Sequence, residues 1–164
     1  MVMLKRADIM SAPALLKAID RELPGTVTTE GSGDSFVFYD PDGVTVPERR
    51  FPFVTVVTGD RYDAASWLDR DVVSFRVNLG VDRATYEALF GPAPRQAAGH
   101  AVIDTGFDYT TPDLVMPHPF YAPMHWVCVV NPGEQTRAAL AGLMRAAYSL
   151  AQARYRGDSR EVGD

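Results

Sequence analysis

The chain has 164 residues, of which 46% are hydrophobic and 23% charged, and its formal net charge is −5 at pH 7. A chain of this length buries roughly 70% of its unfolded surface in one core. We therefore expect a single domain over residues 1–164, with a polar tail from about residue 157. The acidic charge disfavours nucleic acid as a partner, because phosphate binding needs an excess of Lys and Arg.

The cysteine count and the hydropathy of the chain indicate in which cellular compartment the protein is expected. Cys128 is the single cysteine, so the chain forms no internal disulfide. No stretch approaches the ~20 consecutive apolar residues of a membrane span, and the start of the chain lacks the apolar segment of a secretory signal. We therefore expect a cytoplasmic protein without a membrane partner. Monomer and homodimer both stay open.

The first part of the chain alternates turn signals with short apolar segments. Ser11 is a good N-cap, Leu15 and Ile19 follow at helical spacing, and Pro24 stops the helix after about Glu22. Next, β-prone segments bounded by Gly, Asp and Pro turns predict three strands. These strands cover residues 26–29, 35–39 and 51–58, and the third is predicted to be central.

Residues 73–79 alternate cleanly between apolar and polar side chains, which predicts a strand with one apolar and one polar face. Asp82 then caps a short helix that runs through Phe90 and ends at Gly91. Residues 92–124 differ in kind, because they hold six of the twelve prolines and two of the three histidines. We expect a long irregular loop there, and an ordered loop of this length is often functional.

The last part of the chain predicts a strand followed by the longest helix. Residues 125–130 are β-prone and apolar after His125. Asn131 is a good N-cap, with Pro132 and Glu134 at the first and third helical positions. Apolar side chains then recur at helical spacing to about Arg156. Helices at the two ends of a run of strands predict an α+β fold with a mainly antiparallel sheet of four to six strands.

Three segments carry a resemblance to a known family. They are residues 75–79, which read Phe-Arg-Val-Asn-Leu, residues 125–129, which read His-Trp-Val-Cys-Val, and the helical residues 143–150 with Tyr148. Together with the Asp82-capped helix they resemble the YjbR/MmcQ family, and most of all a branch of it that is a domain of unknown function. The resemblance implies a twisted antiparallel sheet between terminal helices and a double-wing surface proposed to bind DNA. It implies no catalytic residues.

Arg76 and Asn78 are the first candidates for a polar site. They share one face of an otherwise apolar strand, so they meet either solvent or a cleft. Solvent is expected if helices cover one side of the sheet alone. If the long loop folds over that side, Arg76 becomes an anchor for a carboxylate or phosphate.

The segment around the second and third histidines supplies candidates for a ligand-site wall. Aromatic and imidazole side chains combine apolar walls with a few polar tips, which is the usual composition of a ligand site. The predicted ligand-binding residues here are His118, Phe120, Tyr121, His125 and Trp126. A histidine satisfied by a backbone carbonyl and a tryptophan filling the core would be the structural alternative for His125 and Trp126.

No established catalytic or metal motif accompanies these residues. Cys128 lies between two valines and is predicted to be a small buried apolar residue. The seven-residue spacing of His118 and His125 matches no metal site, and no cofactor is predicted. The predicted function is a small-molecule-binding or interaction module. The alternatives are an unrecognised enzyme that uses a His/Asp pair, and a double-wing nucleic-acid binder, which the acidic charge disfavours.

Overall fold

The computed structural model describes residues 10–43, 51–61, 64–71 and 74–162, with side chains up to residue 157. Within these ranges the helices are α1 (Ala12–Glu22), α2 (Arg83–Phe90) and α3 (Arg137–Val162). The strands are β1 (Thr26–Gly31), β2 (Asp34–Tyr39), β3 (Val54–Val57), β4 (Arg76–Gly80), β5 (Val115–Pro117) and β6 (Trp126–Val130). All six strands pair antiparallel in the order β1-β2-β3-β4-β6-β5. The predicted α+β class is confirmed.

The starts of the first two helices follow local capping chemistry. Ser11 Oγ accepts a hydrogen bond from the backbone N–H of Ala14 at 3.2 Å, and Asp82 Oδ1 accepts one from Thr85 at 2.7 Å. Each bond satisfies an N–H group that has no partner inside its helix. Both predicted N-caps are therefore confirmed.

The start of α3 differs from the prediction at Asn131. This residue has φ 44°, in the left-handed region, and its side chain accepts a hydrogen bond from the N–H of Phe75 at 2.9 Å. Asn131 thus fastens the end of β6 to the entry of β4, and the predicted N-cap there is wrong. The helix begins six residues later, at Arg137, and extends to Val162 rather than to Arg156.

A residue of the proline-rich loop binds the segment that leads into α3. The carboxylate of Asp113 accepts hydrogen bonds from the N–H groups of Gly133, Gln135 and Thr136 at 2.8 to 3.0 Å. It also accepts one from the Thr136 hydroxyl at 2.6 Å. A remote side chain therefore holds residues 133–136 in place just before α3, where the local sequence was expected to begin the helix.

All three helices pack against one face of the sheet. Val77 and Leu79 of β4 point into this core, where both are fully buried. The helices contribute Leu15 and Ile19 from α1, Tyr86 from α2, and Leu140, Leu143, Met144 and Ala147 from α3. Among the described residues, no helix is long and apolar enough to cross a bilayer.

Irregular segments cover the second face of the sheet. Leu68 and Tyr109 pack there on Met116, Cys128 and Val130, and form a smaller apolar core. The loop is not irregular throughout, because residues 115–117 pair with β6 as a short edge strand. A single stretch of three residues ending in proline is too short to give a strand signal in the sequence.

Candidate functional site

The polar side chains of β4 lie inside the protein. Arg76 is 0% exposed and Asn78 is 2% exposed. Arg76 Nε donates to Asn78 Oδ1 and Nη1 donates to Ser66 Oγ, both at 2.9 Å. Asn78 Nδ2 donates to Thr55 Oγ1 at 3.0 Å. We call these four residues the polar cluster.

The burial of the polar cluster decides between the two alternatives for this face. Segments 64–71 and 107–109 fold over it, so Arg76 and Asn78 do not face solvent. A buried guanidinium needs hydrogen-bond acceptors, and two of them come from Ser66 and Asn78. The long loop thus helps to enclose Arg76, which is the second of the two alternatives that the sequence left open.

His118 is a buried hydrogen-bond acceptor at the end of β5. Its ring is 1% exposed, and Nδ1 accepts from the backbone N–H groups of Phe120 and Tyr121, both at 3.0 Å. An acceptor at Nδ1 places the ring proton on Nε2. Burial, and then the nearby charge of Arg76, hold the pKa of His118 well below 6.5. The imidazole therefore stays neutral at physiological pH and fixes the turn that follows it.

Aromatic rings surround His118. Its ring centroid lies 4.7 Å from that of Tyr121 and 6.4 Å from that of Trp126, which it meets edge to face. His100 stacks on Phe120, with the centroids 5.3 Å apart. We call these five residues the aromatic cluster. Sequence reasoning missed His100, because nothing local indicates that an exposed histidine in a Gly-containing turn reaches a ring twenty residues away.

His125 lies apart from the aromatic cluster. It was predicted to begin the last strand, but it has φ 66° and ends the short helical turn Ala122–Met124, so this prediction is wrong. Its ring lies 5.6 Å from that of Tyr86 in α2, and its charge lowers the pKa of the nearby Asp82 after the hydrogen bonds from Thr85. The structure therefore gathers six of the seven predicted residues on the second face and leaves His125 beside α2.

A groove of about 440 Å³ opens between α2 and the proline-rich loop. We call it the α2–loop groove. Its lining is mostly aromatic and proline side chains with two polar ones. The lining residues are Tyr86, Leu89, Phe90, Pro92, Pro94, Asp104, Thr105, Phe107 and Pro117. None of the seven predicted residues is among them.

The walls of the groove are held in place by ring contacts and hydrogen bonds. Phe90 meets Tyr86 and Phe107 edge to face, at centroid distances of 5.4 and 5.6 Å. On the loop side, Thr105 Oγ1 and Tyr109 Oη share a hydrogen bond of 2.7 Å. The proline content of the loop indicated this region, but which side chains line the groove depends on how the loop crosses α2.

The thiol of Cys128 lies inside the smaller apolar core of the second face. Burial raises the pKa of the Cys128 thiol to about 12, and the side chain is fully buried, as predicted. The described part of the chain has no group of three or more His, Cys, Asp or Glu side chains that could hold a metal ion.

Comparison with known proteins gives one match. A family model described as "Family of unknown function (DUF6194)" matches residues 10–160. No curated protein and no solved structure matches the chain. The prediction of a family of unknown function is confirmed, whereas the match shows no link to the YjbR/MmcQ family.

Proposed function

Because the chain belongs to the DUF6194 family of unknown function, its activity has to be inferred from its own geometry, and we propose that it binds a small molecule in the α2–loop groove. One observation carries the proposal. The groove of about 440 Å³ combines aromatic and proline walls with the polar side chains of Asp104 and Thr105. Ligand sites have this composition, and their volumes are typically ~300–1,000 Å³.

The rigidity of the walls supports the same function. Tyr86 is almost fully buried, and its contact with Phe90 joins the groove wall to the main core. Pro92, Pro94 and Pro117 restrict the backbone on the loop side. A site that is formed before the ligand arrives avoids the entropy cost of ordering a loop.

In this proposal, the six predicted residues of the second face support the loop rather than touch the ligand. His118 fixes the turn that follows β5, and Pro117 beside it lines the groove. Arg76 holds the covering segment 64–71 through Ser66, and Asn78 is anchored to β3 through Thr55. The burial of Arg76 and Asn78 leaves no path by which a ligand would reach these two side chains in this conformation.

The alternative of an enzyme with a His/Asp pair has less support. Both described contacts of His118 Nδ1 come from backbone N–H groups and not from a carboxylate. Asp82, the acidic neighbour of His125, is engaged in capping α2 through Thr85. General acid–base chemistry would need one of these histidines to be reachable and paired.

A binding screen with a groove-blocking variant tests the proposal. Leu89 lines the groove and is 47% exposed, so Leu89→Arg should fill the groove and leave the core intact. Val102 is 45% exposed and does not line the groove, which makes Val102→Arg a matched control. A fragment screen by two-dimensional NMR should shift the backbone amides of Phe90, Asp104 and Thr105 in the wild type and in Val102→Arg. The shifts should be lost in Leu89→Arg, and equal shifts in all three proteins would overturn the proposal.

A further inference from the structure

One charged side chain lies among the nine lining residues of the α2–loop groove, and it is Asp104. Its Oδ1 accepts a hydrogen bond from the N–H of Gly106 at 3.0 Å, which orients the carboxylate. Within the described part of the chain Asp104 takes part in no ion pair. Arg95, the arginine in the same loop, is exposed and does not line the groove. Among the described residues, the groove therefore offers a negative charge that no cation of the protein balances.

Two rings of the aromatic wall, Phe90 and Phe107, are partly exposed and have the same preference, while Tyr86 packs against Phe90 from the core. The π face of an aromatic ring is negative and attracts a cation that lies within about 6 Å of the ring centre. The edge-to-face contacts fix the relative orientation of the three rings. The net charge of −5 on the whole chain adds an attractive field for a positively charged ligand.

We infer that the α2–loop groove selects small organic cations, namely amines with an apolar body. The apolar body lies against the aromatic wall, and the ammonium group meets the carboxylate of Asp104. This inference rests on the proposed function and specifies its ligand class. An anion of the same shape would meet Asp104 without a compensating cation, so the groove discriminates by charge as well as by shape.

The test uses three probes of similar size and different charge: 2-phenylethylamine, 2-phenylethanol and phenylacetate. Their dissociation constants are measured by NMR titration of the full-length protein at low ionic strength. We expect the amine to bind about tenfold more tightly than the alcohol, and the alcohol more tightly than the carboxylate. Added salt should weaken amine binding and leave alcohol binding unchanged.

Two isosteric variants identify the residue responsible. Asp104→Asn should reduce the affinity for the amine to that for the alcohol, which it should leave unchanged. Asp20→Asn makes the same charge change at an exposed position of α1 and should preserve the tenfold preference. Retention of the preference in Asp104→Asn would overturn the assignment of this carboxylate.

The remaining outcomes separate the ligand class from the proposed function. If the alcohol or the carboxylate binds as well as the amine, and Leu89→Arg abolishes that binding, the cation preference is wrong and the groove is still a ligand site. If none of the three probes binds and the fragment screen produces no groove shifts, both the ligand class and the proposed function are wrong.

Discussion

The indole ring of Trp126 lies over Gly80, and a Cβ atom built on Gly80 would come within 2.8 Å of Trp126 Cε2. The two residues are direct partners across β4 and β6. Glycine is therefore needed here for close approach rather than for an unusual backbone angle. The contact matters beyond the strand pair, because Trp126 also meets His118 edge to face.

We predict that Gly80→Ala destabilises the protein by about 1–3 kcal/mol, because the added methyl group overpacks the contact with Trp126. The free energy of unfolding is measured by urea denaturation with fluorescence detection. Gly31→Ala is the matched control in another strand, where the nearest side-chain atom lies 4.0 Å from the added Cβ. The control should change stability by no more than about 0.5 kcal/mol.

The coupling between the two residues provides a second check. Replacing the indole with a smaller side chain in Trp126→Leu should relieve the clash, so Gly80→Ala should cost less in that background than in the wild type. An equal cost in both backgrounds would show that the indole is not the group that Gly80 accommodates.

Asp113 links the proline-rich loop to the segment that leads into α3. Removing its carboxylate should therefore destabilise the folded protein. Burial by itself would raise the pKa of Asp113, but the hydrogen bonds from the Thr136 side chain and from Gly133, Gln135 and Thr136 lower it overall. We predict that Asp113→Ala costs about 1–3 kcal/mol at pH 7, because it leaves the N–H groups of Gly133, Gln135 and Thr136 without their acceptor. Urea denaturation at a series of pH values measures the effect.

The pH dependence of this effect has a defined sign. Because the folded-state pKa is depressed, the stabilising contribution is present above the ordinary value of 3.8 and is lost as pH falls through the folded-state pKa. The gap between wild type and Asp113→Asn should therefore close in strong acid. Asn also tolerates the φ of 55° at this position, so that variant isolates the charge. A gap that is constant with pH would contradict the assignment.

His118 should make the protein less stable in mild acid. Burial, and then Arg76, depress its folded-state pKa, so the unfolded chain binds the proton more readily below about pH 6.5. We predict that the free energy of unfolding falls as pH is lowered from about 6.5 toward the depressed folded-state pKa, and that His118→Asn reduces this slope. Asn keeps an acceptor for the N–H groups of Phe120 and Tyr121, so the variant should still fold. An unchanged slope in His118→Asn would refute the prediction.

The parts of the fold that were predicted correctly are those determined by residues close together in the sequence. The caps at Ser11 and Asp82, and the alternation in β4, depend on contacts within a few positions and were correct. The cap at Asn131 was wrong because its side chain binds the N–H of Phe75, and because a remote carboxylate, Asp113, accepts from the N–H of Gly133. Long-range pairing of this kind has no signature in the local sequence.

The candidate site was harder to predict for the same reason. Burial of Arg76 depended on whether the loop folds over the second face, and sequence patterning left both alternatives open. His125 adopts a left-handed conformation that propensity does not anticipate for this residue, so its ring turns toward Tyr86. The groove itself forms where α2 meets residues 104–117, which lie further along the loop. The periodicity of the sequence carries no information on that contact.

The charge distribution predicts that the protein does not bind duplex DNA measurably at physiological salt. Arg154 is exposed on the opposite side of α3, whereas Arg137, Arg145 and Arg156 are exposed together. At 3.6 residues per turn they lie within an arc of roughly 100°, but they are spread over roughly 28 Å of the helix axis. Three phosphate contacts on a chain of net charge −5 give weak binding that salt suppresses further.

Fluorescence anisotropy with a labelled duplex at about 0.15 M salt checks this prediction, and we expect no change at micromolar protein. The same titration at low salt, repeated with Arg145→Glu, shows whether any residual binding uses this face of α3. A micromolar or tighter dissociation constant that weakens steeply with salt would overturn the prediction, since that dependence is the signature of phosphate contacts. It would also favour a nucleic-acid binder among the alternatives for the function.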